Sequence, residues 1–134
     1  GAPGTANVIY SAWTDVTYTP VKNQAGDTLY FQANINAPKL VDSILQKGEI
    51  KVYFNFGSAT QPDIIPLPYA TEIMPAFKLN KIELTALRNY STVTENGVKY
   101  GQYRYILIPG GVLGRSSVNW NNYTEVKKYL GLKD

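Results

Sequence analysis

The 134-residue chain contains neither cysteine nor histidine. Those two absences together remove thiol nucleophiles, disulfides, thiolate and imidazole metal ligands, and imidazole general bases. Charge is sparse as well: Asp, Glu, Lys and Arg make up 17% of residues, and 13 basic against 10 acidic side chains leave a net charge of +3. Lys127-Lys128 is the one adjacent basic pair. A phosphate-tracking groove needs clustered cations, so nucleic acid is not an expected partner. No apolar run approaches the roughly 20 residues needed to cross a bilayer, and no charged-then-apolar leader opens the chain. The expectation is a soluble domain, either mature or trimmed from a longer chain.

What is present is enough for one good core. Apolar residues make up 44% of the chain, far from the low hydrophobicity and high charge of disorder. A chain of this length buries roughly two thirds of its unfolded surface.

Strand signals dominate. Leu29, Phe31, Ala33 and Ile35 alternate with Thr28, Tyr30, Gln32 and Asn34, the period-two pattern of a sheet with one buried face. Ile50, Val52, Phe54 and Phe56 alternate with Lys51, Tyr53 and Asn55, and Ile82, Leu84 and Ala86 with Lys81, Glu83 and Thr85. Val8, Tyr10 and Ala12 form a shorter example that runs into Trp13. Asn96-Gly97 supplies the pair suited to a type I′ turn, which predicts a hairpin from Tyr90 to Ile108 with a bulge at the phase change near Gly101. The run Ile106-Leu107-Ile108 implies burial on both faces there. Pro62, Pro66, Pro68 and Pro75 confine their stretch to an edge strand or an extended surface segment.

Two helices interrupt the strands. Between about 38 and 47, Leu40, Val41, Ile44 and Leu45 share a helical face, with Pro38 suited to the first turn and Gly48 to a left-handed C-terminal position. Between about 122 and 130, Asn122 and Glu125 are spaced as a capping box, Lys127 and Lys128 suit the last turns, and Gly131 suits the stop. Trp120, Tyr123, Val126, Lys127 and Leu130 mark its inward stripe. The expected fold class is therefore mainly β: a two-layer antiparallel β-sandwich with a connecting helix (about 38–47) and a C-terminal helix (about 122–130). Residues 1–5 read as the end of a linker or of a collagen-like stretch, and 6–134 as a single β-sandwich domain.

Signals for chemistry are thin. Gly110 to Ser116 resembles a phosphate loop, but Pro109 stands where the first glycine belongs and Arg115 where lysine does. Carboxylates occur singly, with no calcium-loop spacing. A pair such as Glu72 and Glu83 could meet across strands as a glycosidase acid and nucleophile, although Glu83 falls on the exposed face of its strand pattern; this defines the alternative reading, a carbohydrate-active hydrolase. Eleven Tyr, two Trp and four Phe are many for this length. Tyr30 and Tyr53, read as outward-facing, form a candidate ligand-binding platform beside Asn34 and Asn55; ordinary cross-strand packing of tyrosine is the competing explanation. Asn89-Tyr90-Ser91 and Asn122-Tyr123-Thr124 match the N-glycosylation pattern, the second at a helix cap. No metal or cofactor is expected.

Gly1-Ala2-Pro3-Gly4-Thr5-Ala6 is two Gly-x-y triplets. With Ala6-Asn7-Val8-Ile9-Tyr10-Ser11-Ala12-Trp13, Lys47-Gly48-Glu49-Ile50-Lys51-Val52-Tyr53, Tyr103 through Gly111, and Trp120 through Leu132, the chain resembles, over almost its whole length, a family of small exported lipoproteins of Bacteroidetes. The resemblance implies a cell-envelope location, a lipid-bearing cysteine upstream of Gly1 as the sole membrane attachment, and a short collagen-like stalk. It implies no catalytic residues. Asp27-Thr28-Leu29 and Asp42-Ser43-Ile44 also resemble the O-glycosylated triplets of such bacteria. The expected function is a non-enzymatic envelope binding or structural head that contacts glycan or an envelope protein, with weak self-association.

Overall fold

The computed structural model describes residues 7–110 and 118–133. Its backbone follows the three longer period-two segments, whereas of residues 8–12 only Ile9 and Tyr10 form a strand. Sheet A contains, in spatial order, β1 (Ile9–Tyr10), β10 (Gln102–Ile108), β4 (Glu49–Asn55) and β5 (Ile64–Pro66). Sheet B contains β2 (Thr19–Lys22), β3 (Thr28–Asn36), β7 (Lys81–Ala86) and β6 (Ile73–Lys78). Every neighbouring pair is antiparallel. The inner faces meet through Val52, Phe54, Tyr103, Tyr105 and Leu107 of sheet A and Ala33, Ile35, Ile82, Leu84 and Ala86 of sheet B, all buried. This is the expected sandwich.

The predicted hairpin forms only between residues 93 and 100; its expected continuation to Ile108 pairs with β1 and β4 instead. Asn96 and Gly97 both take positive φ (52° and 78°) between β8 (Val93–Glu95) and β9 (Val98–Tyr100), which pair only with each other. At Gly101, φ 78°, the chain leaves this small arm and enters β10 at the centre of sheet A. A glycine was needed there because other residues rarely adopt that backbone region.

Prolines sit where a missing N–H costs nothing. Leu67 N donates to Val52 O and Phe56 N to Asp63 O, so the intervening position 66 on edge strand β5 points its nitrogen outward. Leu87 N donates to Glu72 O at the far end of the β6–β7 hairpin. The same alternation turns Pro75 outward on β6, and Pro20 is outward on β2. Three of the four sheet edges are thus blunted against further strand pairing.

The helices divide into one correction and one agreement. Helix α1 spans only Asp42–Lys47, four residues shorter at its start than the apolar spacing suggested. Asn80, at the tip of the β6–β7 hairpin, donates from its side chain to the carbonyls of Pro38 and Leu40 and from its backbone to Leu40 O. That contact holds residues 38–40 in a turn. Gly48 is extended (φ −95°) rather than left-handed. It is glycine because a Cβ would stand 2.4 Å from Ile108 O and 3.0 Å from Ile44 O. Helix α2 spans Tyr123–Leu130; the Asn122 side chain accepts from Glu125 N, and Gly131 closes it at φ 67°. It lies on the outer face of sheet A, where Tyr123, Val126 and Leu132 cover Tyr53, Ile106 and Ile108. Trp120 and Leu130 are only partly buried against the same cluster.

Candidate functional site

The four residues of the expected platform do not come together. Tyr30 and Asn34 lie on β3 and face away from the core of sheet B, half-buried and exposed respectively. Tyr53 and Asn55 lie on β4 of sheet A. Tyr53 does point away from the sandwich, but α2 covers it completely (0% exposed). Its hydroxyl donates to Trp120 O at 2.9 Å, its ring meets Tyr123 edge-on at 4.8 Å, and burial pushes its phenol well above the usual tyrosine range. Asn55 is buried too, and its amide is spent on the chain: Oδ1 accepts from Gly57 N and Asp63 N, both at 2.9 Å, and Nδ2 donates to Ser58 O. It fixes the 57–63 loop.

That loop, once fixed, forms one wall of a groove beside α2. The groove has a volume of about 350 Å³, at the lower end of ligand-sized clefts. Trp13, Pro62, Ile64, Gln102, Thr124 and Lys127 line it, with the Asn55 amide nearby. Trp13 is held in place by an edge contact to Tyr123 at 5.6 Å and by the Arg104 guanidinium, 5.3 Å from its ring centre. Arg104 is 2% exposed; Nε donates to Ser11 O, Nη1 to Tyr123 Oη and Nη2 to Lys133 O. It joins the β1 segment, α2 and the C-terminal residues, which are the pieces that shape the groove. Gln102 donates from Nε2 to Asp15 at 2.9 Å, leaving its carbonyl oxygen for another partner. Asp15 also pairs with Lys99, and these hydrogen bonds lower its carboxyl below the usual range. The resulting surface is an aromatic and aliphatic cleft with amide and hydroxyl groups at its rim.

Sequence reasoning missed this cleft. In the sequence, Trp13 reads only as the residue that an alternating segment runs into. Nothing in the spacing of Trp13, Ile64, Gln102 and Thr124 signals that a β1 extension, an edge strand, a central strand and a distal helix converge.

The other signals are placed as follows. Glu72 is opposite Leu87 and Glu83 opposite Ala76, so four residues of extended strand, roughly 14 Å, separate their backbones. Each is already paired, Glu72 with Arg88 and Tyr90 Oη, and Glu83 with Lys78. Asn89 Oδ1 accepts from the backbone and hydroxyl of Ser91, and Asn122 is occupied as the cap of α2. Residues 111–116 of the phosphate-like loop, and the Gly-x-y start, lie outside the described residues. Among the described residues, no group of three or more acidic, Cys or His side chains is placed to hold a metal ion, and no helix is long and apolar enough to cross a membrane. Comparison with protein families, curated proteins and solved structures finds no match to this chain.

Proposed function

We propose that this chain is a non-catalytic binding head of the cell envelope whose ligand seats in the groove between Trp13 and α2. The observation that carries this reading is the groove itself: an indole held by Tyr123 and Arg104 and an aliphatic wall, lined also by Gln102, Thr124 and Lys127, with no carboxylate among its described lining residues. Such a surface suits a ligand with one apolar face and hydrogen-bonding edges, as a sugar ring or a short peptide segment has. The blunted sheet edges favour recognition in a cleft over strand addition at β2, β5 or β6. The sequence blocks resembling exported Bacteroidetes lipoproteins support the envelope setting and a stalk ahead of residue 6.

A glycan array run beside a hydrolysis screen tests the reading. Binding without turnover, weakened by Trp13→Ala and by Gln102→Ala, is the expected result. Turnover abolished by Glu72→Gln or Glu83→Gln would instead establish the alternative, a hydrolase using that carboxylate pair. Their backbone separation exceeds the roughly 5–9.5 Å between carboxyl groups of glycosidase pairs, so only side chains reaching toward each other would bring them within range.

A further inference from the structure

A second set of aromatic rings collects just beyond the end of β4, and none of them lines the groove. The core-facing series of β4 runs past the end of the strand to Phe56, which is 38% exposed. Tyr69, 39% exposed, stands edge-on to it at 5.6 Å and 86°, and Tyr90 does so at 6.3 Å and 82°. Phe54 supports Phe56 from the core side at 4.6 Å.

Each ring is held from its own backbone or hydroxyl. Tyr69 sits in a tight turn: its N donates to Ile73 O, its carbonyl accepts from Glu72 N at 2.8 Å, and Ala70 takes φ 44°. Tyr90 Oη donates to Glu72 Oε2 at 3.0 Å. Glu72 in turn pairs with Arg88 Nε at 3.4 Å, and the arginine side chain is 75% exposed. A carboxylate and a guanidinium thus stand at the edge of a pre-ordered aromatic surface.

Two features select the ligand. Partly exposed rings already held in place favour a partner with an apolar face of ring size, because little side-chain freedom remains to be lost on binding. The neighbouring ion pair offers an acceptor and a donor while its charges cancel, which suits hydroxyl groups and gives no net attraction for a polyanion. A purely apolar segment would leave the ion pair unused. We propose that Phe56, Tyr69 and Tyr90, with Glu72 and Arg88, form a platform for a neutral pyranose ring of a glycan chain. This site is separate from the groove and stands or falls without it.

The test is an NMR titration of the whole chain with neutral oligosaccharides of glucose, mannose, galactose and N-acetylglucosamine, and with an oligogalacturonate as the charged arm. At least one neutral oligosaccharide should shift the resonances of Phe56, Tyr69 and Tyr90. Phe56→Ala and Tyr69→Ala should each weaken that binding by about tenfold or more, as removal of a principal contact does. Phe56→Tyr, which keeps the ring, should retain it. The proposal is overturned if these resonances stay silent across the neutral panel. It is equally overturned if only the oligogalacturonate shifts them, or if Phe56→Ala binds like the parent while remaining folded by near-ultraviolet circular dichroism.

Discussion

Sheet A has a core on each face, and the two are held together by different means. On the inner face, Phe54, Tyr103 and Leu107 pack against Ile35, Ile82 and Leu84 of sheet B; stabilisation there comes mainly from apolar area removed from water, shared among many side chains. On the outer face, Ile106 and Ile108 pack under α2, but the centre of that layer is a charge. Arg104 lies between Tyr10 and Trp13 and donates hydrogen bonds to the Ser11 carbonyl just past β1, to a helix hydroxyl and to the Lys133 carbonyl. The inner core is redundant, so many sequences of the right pattern would form it. The outer layer depends on a few directional contacts, and those same contacts set the walls of the groove.

The largest expected effect separates the faces by pH. Burial pushes the Tyr18 phenol up to about 12, and pushes Tyr53 and Tyr103 higher still. Tyr18 and Tyr103 are inner-face residues whose hydroxyls bond each other at 3.0 Å, whereas Tyr53 lies under α2. Below pH of about 10 these phenols are neutral in both folded and unfolded chains, and full stability is present. Above it the unfolded chain ionises while the folded one resists. Stability is therefore lost from pH of about 10 upward, through about 12 for Tyr18, by about 1.4 kcal/mol per unit of pKa difference. Alkaline titration followed by tyrosinate absorbance and circular dichroism should show ionisation of these three coinciding with unfolding. Tyr53 ionising first, with loss of helix signal alone, would show that the outer layer detaches by itself.

Next in size is Leu84→Ala. Leu84 is fully buried between the sheets, and truncation of such a leucine costs about 3–5 kcal/mol. Urea unfolding should move to a lower midpoint with an unchanged slope, the signature of a global loss. Arg104→Ala is expected to cost somewhat less, about 2–4 kcal/mol, since hydrogen bonds to a charged group contribute about 1.5–3 kcal/mol each but water can enter the space left. Its distinguishing mark is location: hydrogen exchange should accelerate in α2 and the β1 segment before sheet B. Uniform acceleration would erase the distinction between the two cores.

The same contrast explains what the sequence made legible. Alternation at Thr28–Asn36, Ile50–Phe56 and Lys81–Ala86 reports which side of a strand is apolar, and the inner core follows directly. Asn96-Gly97 and the Asn122–Glu125 cap work through neighbours along the chain, and both were readable for that reason. Tyr53 and Asn55 were misread because alternation says which side a residue faces, and cannot say that a helix some 70 residues downstream will cover that side. One local sign was available. Ile106-Leu107-Ile108 implied cover on both faces of β10, and β4 is its direct neighbour with Tyr53 opposite Arg104, so the cover extends to Tyr53. The start of α1 was misplaced for the same kind of reason: Asn80, distant in sequence, holds residues 38–40 and outweighs their helical spacing.

The smallest effect asks whether the outer layer can loosen without the inner one. Asn122→Ala removes the side-chain acceptor of Glu125 N, a cap contact worth about 1 kcal/mol. Helix α2 has eight residues, too few to persist in water without packing, so its order comes from the cap together with Tyr123, Val126 and the Arg104 contacts. If α2 opens on its own, about 1 kcal/mol should appear as roughly fivefold faster amide exchange within Tyr123–Leu130. The urea midpoint of the sandwich would then barely change. Asn122→Asp, which keeps an acceptor beside the helix N-terminus, should restore slow exchange. A global midpoint shift of the full 1 kcal/mol, with no selective change in α2 exchange, would mean that both faces of sheet A unfold as one unit and that the groove is as rigid as the core beneath it.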